Sequence, residues 1–102
     1  MKQTLIRYKT KPESTADNER LIKGVFEQLH AQSPDGVGYL ALKLGDGSFV
    51  HFVRIEPTGK NESITGLEAF GRFQSGIRDR VLEPLQSNDV TVVGNYRMLN
   101  ER

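Results

Sequence analysis

His51 is the residue in this sequence best placed to do chemistry. It stands inside the β-rich run Ser48–Ile55, with Phe49 and Val53 on its own side of a strand and Leu42 expected directly opposite. A neutral imidazole in apolar surroundings can serve as a general base, or hydrogen-bond the phenol or carbonyl of a bound molecule. The same placement suits a core histidine bonded to a neighbouring side chain. His30, near the end of an apolar-striped segment, suits complementing a helix C-terminus. Glu56 falls on the opposite strand face from His51, so the two histidines form no metal-binding pattern and no metal is expected. The absence of Cys excludes disulfides, thiolate ligands and a Cys nucleophile. No Ser occupies a nucleophile elbow. Gly36-Val37-Gly38 leads into no helix that could cradle a phosphate, and no cofactor is expected.

The aromatic residues define what a pocket would look like. Tyr8, Tyr39 and Tyr96 fall in strand-like segments, where a ring can wall a pocket and its hydroxyl can bond a ligand, or where it simply packs on the sheet. Phe26, Phe70 and Phe73 lie on helical stripes, as core residues or as apolar pocket walls. His51 is thus the candidate catalytic residue. Tyr8, Phe26, Leu42, Phe70, Phe73 and Tyr96 are the candidate ligand-binding set, for a small apolar or aromatic molecule. Arg72, Arg78, Asp79 and Arg80 cluster on the second helical stretch and read as a solvated face.

Those residues need elements to hold them. Residues 4–10 alternate as a strand that Pro12 stops. Ser14-Thr15-Ala16-Asp17 resembles a capping box, and Leu21, Ile22, Val25, Phe26 and Leu29 stripe one face of a helix over residues 16–32. Gly24 inside it suggests close packing against a neighbour. Residues 37–44 and Ser48–Ile55 flank Gly45-Asp46-Gly47 as a hairpin. An Asp46-Gly47 turn pairs Leu44 with Phe49, placing Leu40, Leu42 and Leu44 on one face with Phe49, His51 and Val53. Tyr39, Ala41, Lys43, Val50, Phe52 and Arg54 then take the other face. Thr65-Gly66-Leu67-Glu68 resembles a second capping box, opening a helix that runs to about residue 83, with Gly71 and Gly76 as weak points. Residues 89–99 alternate as a last strand.

The order β-α-β-β-α-β predicts an α+β, ferredoxin-like split β-α-β fold: one domain over residues 1–102, with two helices on one face of a four-stranded antiparallel sheet. The helices cover one face only, and the other also carries apolar side chains, so a homodimer through the open sheet face is expected. Fourteen basic residues against thirteen acidic ones leave a net charge of +1 on 102 residues. That balance argues against a nucleic-acid or anionic-membrane partner. No apolar run reaches the length of a membrane span, and the N-terminus lacks a signal-peptide core, so a cytoplasmic protein is expected.

Several motifs then coincide. They are Arg7-Tyr8-Lys9-x-Lys11-Pro12, Asn18-Glu19-x-Leu21, Val25-Phe26-x-x-Leu29 and Asp46-Gly47-x-Phe49-Val50-His51, followed by Ala69-Phe70-x-x-Phe73-Gln74-x-Gly76-Ile77-x-Asp79-Arg80, Glu83-Pro84 and Val92-Val93-Gly94-x-Tyr96-Arg97. Across residues 4–99 the chain resembles the small bacterial proteins grouped with the antibiotic biosynthesis monooxygenase domain, in the dimeric α+β barrel superfamily. The resemblance implies a homodimer whose two sheets face each other as a barrel, helices outside. It also implies a pocket between helices and sheet, where relatives oxygenate polycyclic phenols or quinols without metal or flavin, or degrade haem. Those enzymes use Asn, Trp and Tyr, or Asn, Trp and a haem-ligating His on the second helix. This chain has no Trp, and residues 64–83 contain no His. Asn95 and Tyr96 do not map onto the enzymes' Asn and Tyr. Three functions follow as alternatives: a cofactor-independent monooxygenase acting on a small aromatic or quinol, a non-catalytic small-ligand-binding module, or a purely structural homodimer.

Overall fold

Strand β1 (Lys2–Lys9) opens a computed structural model that describes residues 1–99. A 3-10 turn, Pro12–Ser14, runs into α1 (Thr15–Gln32). The hairpin of β2 (Val37–Lys43) and β3 (Ser48–Ile55) follows. Three short helices come next, α2 (Glu62–Thr65), α3 (Glu68–Gln74) and α4 (Ile77–Arg80), before β4 (Gln86–Asp89). The strands lie in the order β2-β3-β1-β4, every neighbouring pair antiparallel. This is the expected α+β architecture, a four-stranded antiparallel sheet with its helices on one face.

The stripe on α1 does what its spacing requires. Ile22 and Val25 are buried, and they join Tyr8, Phe49, Leu67, Ala69, Phe73 and Val81 in one core between helices and sheet. Each buried Val, Leu, Ile or Phe side chain among them contributes about 1.5–3 kcal/mol. Ser33, in the left-handed region at φ 45°, ends α1 and donates its N–H to the Leu29 carbonyl at 2.8 Å. Gly24 has nothing within 4 Å of where a Cβ would stand, so close packing does not account for it.

Neither capping box forms. The 3-10 turn already carries the chain into α1, and Thr15 Oγ1 donates back to the Lys11 carbonyl at 3.2 Å. Thr65 closes α2 instead of opening α3. The Ala69 N–H in the first turn of α3 is met by Gln28 Oε1 of α1 at 2.9 Å. The second helical stretch is broken at Gly66-Leu67 and again at Ser75-Gly76, where Gly76 adopts φ 79°.

The hairpin register corrects the expected sheet faces. Gly45-Asp46-Gly47 is a three-residue loop with Gly47 left-handed at φ 86°, and the Leu44 N–H donates to the Ser48 carbonyl at 2.8 Å. Lys43 therefore opposes Phe49, Ala41 opposes His51, and Leu42 opposes Val50. One residue of slip moves the whole of β2 to the other face. Tyr39, Ala41, Phe49, His51, Ile6 and Tyr8 face the helices, while Leu40, Leu42, Val50, Phe52 and Leu5 form the open face.

The last strand is also displaced. β4 covers only Gln86–Asp89, paired with Arg7 to Thr4 of β1, and residues 91–99 lie off the sheet. The Thr10–Val81 bridge and the Leu82 N–H to Lys9 carbonyl bond return the chain to the β1 edge straight after α4. Pairing therefore begins earlier than the apolar alternation of residues 89–99 suggests. No helix among the described residues is long and apolar enough to cross a membrane.

Candidate functional site

His51, 2% exposed, lies on the helix-facing side of β3 with Phe73 of α3 at 5.6 Å between ring centroids. Both of its ring nitrogens are engaged. Tyr8 of β1 brings its hydroxyl within 2.8 Å of Nε2, and Tyr39 of β2 brings its own within 2.6 Å of Nδ1. The strand register produces this arrangement: β1 and β2 flank β3, so a tyrosine from each side reaches the central imidazole. Burial holds the His51 pKa down to about 4, and the imidazole is neutral at physiological pH. Burial pushes the Tyr8 phenol up to about 12, and the Tyr39 phenol higher still. All three rings are neutral together.

The chain of hydrogen bonds continues inward. Asn18 of α1, fully buried, donates from Nδ2 to the Tyr8 oxygen at 2.9 Å. Arg80 of α4 donates from Nε to Asn18 Oδ1 at 3.0 Å. The rest of that guanidinium donates to the carbonyls of Ser75 and Phe73 and lies over the Phe73 ring. Arg80 is 7% exposed, which corrects its expected place on a solvated face. Its neighbour Arg72 does stay in solvent, 3.9 Å from Glu68. The Lys11 N–H donates to the Arg80 carbonyl at 2.8 Å and ties α4 to the end of β1.

Beside this network, between α1 and the edge strand β2, runs a groove of about 490 Å³. Ile22, Phe26, Ala41 and Phe49 form its apolar walls. Glu19 spans its mouth, 2.6 Å from Lys43 and 3.2 Å from Lys23. A smaller cleft of about 210 Å³ continues along the same edge and includes Tyr39; Phe26 and His30 line both. Phe26 stands edge-on to the Tyr39 ring at 5.0 Å.

The structure brings Tyr8, His51 and Phe73 together, with Phe70 at 6.0 Å from Phe73 and Phe26 one ring further out. Leu42 is not opposite His51. It is 53% exposed on the open-face side of β2 and touches the groove only at its lip. Tyr96, 76% exposed off the sheet with Arg97 over its ring, is outside the cluster. Asn18 and Arg80 were missed as functional residues, and a signal for them existed. Asn18 extends the α1 stripe four residues before Ile22, and Arg80 lies one heptad after Phe73. A polar residue in register with an apolar stripe marks a buried network.

No protein-family model matches the chain, and no curated protein matches it. Solved structures do. A Bacteroides thetaiotaomicron protein provisionally named as an antibiotic biosynthesis monooxygenase superposes with a TM-score of 0.75 at 17% identity, over 99% of this chain and 95% of the other. One from Nitrosomonas europaea with the same provisional name gives 0.72 at 14% identity, over 92% of this chain and 100% of the other. A Mycobacterium tuberculosis protein gives 0.70 at 13% identity, over 92% and 96%. The chain shares the fold of these three proteins.

Proposed function

We propose that this protein binds a small aromatic or quinol-type molecule in the groove between α1 and β2, as a homodimeric, monooxygenase-like protein without metal or flavin. The groove itself carries the proposal. Its volume of about 490 Å³ suits a bicyclic aromatic, its walls are apolar, and its rim is ionic, the usual make-up of a small-molecule site. An oxygenase of this type needs a dry pocket that holds an electron-rich ring. Ile22, Phe26, Ala41 and Phe49 supply apolar walls for such a ring.

One observation favours binding without turnover as the second reading. Both His51 nitrogens are engaged by tyrosines, so this imidazole offers no free lone pair to a substrate proton. The test is calorimetric titration with naphthols and hydroquinones, alongside oxygen consumption in an electrode cell. Micromolar binding that Ala41→Phe abolishes without lowering the Tm is the expected result. Oxygen uptake above the uncatalysed rate supports the oxygenase, and binding without uptake assigns a binding module. Binding that Ala41→Phe leaves intact would remove the groove from consideration.

The dimer is proposed on the open face, where Leu40, Leu42, Val50 and Phe52 otherwise meet water. The cytoplasm is the proposed location.

A further inference from the structure

We propose that the open face of the sheet carries a second binding site, in which Arg54 takes the carboxylate of an aliphatic acid while Leu40, Phe52 and Met98 take its chain. This site lies across the sheet from the helices, so it stands apart from the groove between α1 and β2.

The make-up of that face is the first reason. Beside its apolar side chains, the strand register puts Arg7, Lys9 and Arg54 on it, with no acidic residue at any of its described sheet positions. Asp46 of the hairpin loop acts on Lys9, at the far end of the face from Arg54. A surface that is both apolar and cationic suits a ligand that is both apolar and anionic.

Arg54 is where that positive charge is least satisfied. It is half-buried, next to the end of the sheet where Val37 and Ile55 pair. Its Nε is buried and has no hydrogen-bond partner. No carboxylate among the described residues lies within ion-pair distance of it. Its one hydrogen bond runs from Nη2 to the Met1 thioether at 3.3 Å, and a thioether is a weak acceptor. A guanidinium offers its donors in a planar fork that matches a carboxylate. Leaving a charged donor buried and unpaired is costly, and a carboxylate oxygen at Nε removes that cost.

Room for the rest of the molecule lies beside it. A cleft of about 360 Å³ is walled by β2, β3 and the chain at Met98 and Leu99. Gly38 opposes Arg54 across the strand pair, and a Cβ there would stand 3.8 Å from the Arg54 Cβ. The bare glycine keeps the space next to the arginine stem open. Leu40 and Met98, 42% and 82% exposed, have apolar surface that a bound chain would cover. Glu56 is on the same wall and has a partner of its own. One guanidinium with an acid nearby selects a monoanion over a doubly charged phosphate. Leu42 and Val50, further along the face, are left for the pairing of two copies proposed above.

Calorimetric titration with octanoate and with 1-octanol, the same chain without the charge, tests the site. Wild type should bind one octanoate per chain and prefer it to octanol about 10- to 100-fold, as expected of hydrogen bonds to a charged group. Arg54→Met should abolish that preference while octanol affinity and circular dichroism stay unchanged. Gly38→Val, which fills the cleft and keeps the charge, should weaken both probes. Ala41→Phe, in the groove on the other side of the sheet, should leave octanoate binding intact. Octanoate affinity that survives Arg54→Met overturns the proposal, as does equal affinity for the two probes in wild type. Loss of octanoate binding in Ala41→Phe would move the acid to the groove and overturn it too. So would the absence of binding at millimolar octanoate.

Discussion

His51 between two tyrosines couples the interior to pH, and the sign can be worked out. Its folded pKa of about 4 lies below the unfolded value of 6.5. The unfolded chain therefore takes up a proton first as pH falls. Stability is complete above about pH 6.5 and declines toward pH 4, where the cumulative loss reaches about 3 kcal/mol. Urea titrations between pH 7.5 and 4.5 measure it, and a Phe at position 51 should flatten the slope in that window. The phenols act at the other limit. Tyr8, held up to about 12, and Tyr39 above it keep full stability below pH 10 and lose it as the pH rises beyond. The chemistry of these rings was legible in the sequence residue by residue. Their meeting was not, because it depends on three strands and two helices delivering atoms to within hydrogen-bond range. His51 stands out from its residue type and strand, whereas Arg80 reads as part of a solvated face and Asn18 only as part of the Asn18-Glu19-x-Leu21 motif.

The elements respond to glycine in opposite ways. Gly24 sits in the body of α1 with open space where a Cβ would go, so Gly24→Ala should stabilise by about 1 kcal/mol and raise the Tm by about 4–8 °C. Gly76 holds φ 79° at the break before α4, and Gly76→Ala should cost about 1–2 kcal/mol, read by the same denaturant titration. It should also loosen Arg80, which α4 carries. The helical stripes and strand alternation could be recognised from spacing because α1, β1, β2 and β3 each bury one face. The ends could not. The first capping motif gave way to a local bond from Thr15 to the Lys11 carbonyl four residues earlier, the second to Gln28, which meets the Ala69 N–H, and no local pattern encodes a partner 41 residues away.

At the scale of the molecule, the open sheet face sets the prediction. A native mass spectrum should show twice 11.5 kDa, and Phe52→Glu, on that face, should shift the species to monomer while leaving circular dichroism unchanged. A wild-type monomer at micromolar concentration would discard the face-to-face pairing. The sequence by itself determined the α+β class, the order of the elements through the hairpin, and the apolar stripe of α1, because these follow from periodicities that local geometry imposes. Tertiary structure alone decided the rest. A third loop residue, Gly45 ahead of Asp46-Gly47, set the register of β2, turning Tyr39 inward to His51 and Leu42 outward. The edge of β1 captured Gln86–Asp89 ahead of the more apolar stretch that follows, leaving Val93 fully exposed. Side-chain alternation names two faces without saying which is inside. Only backbone pairing with a neighbouring strand makes that choice.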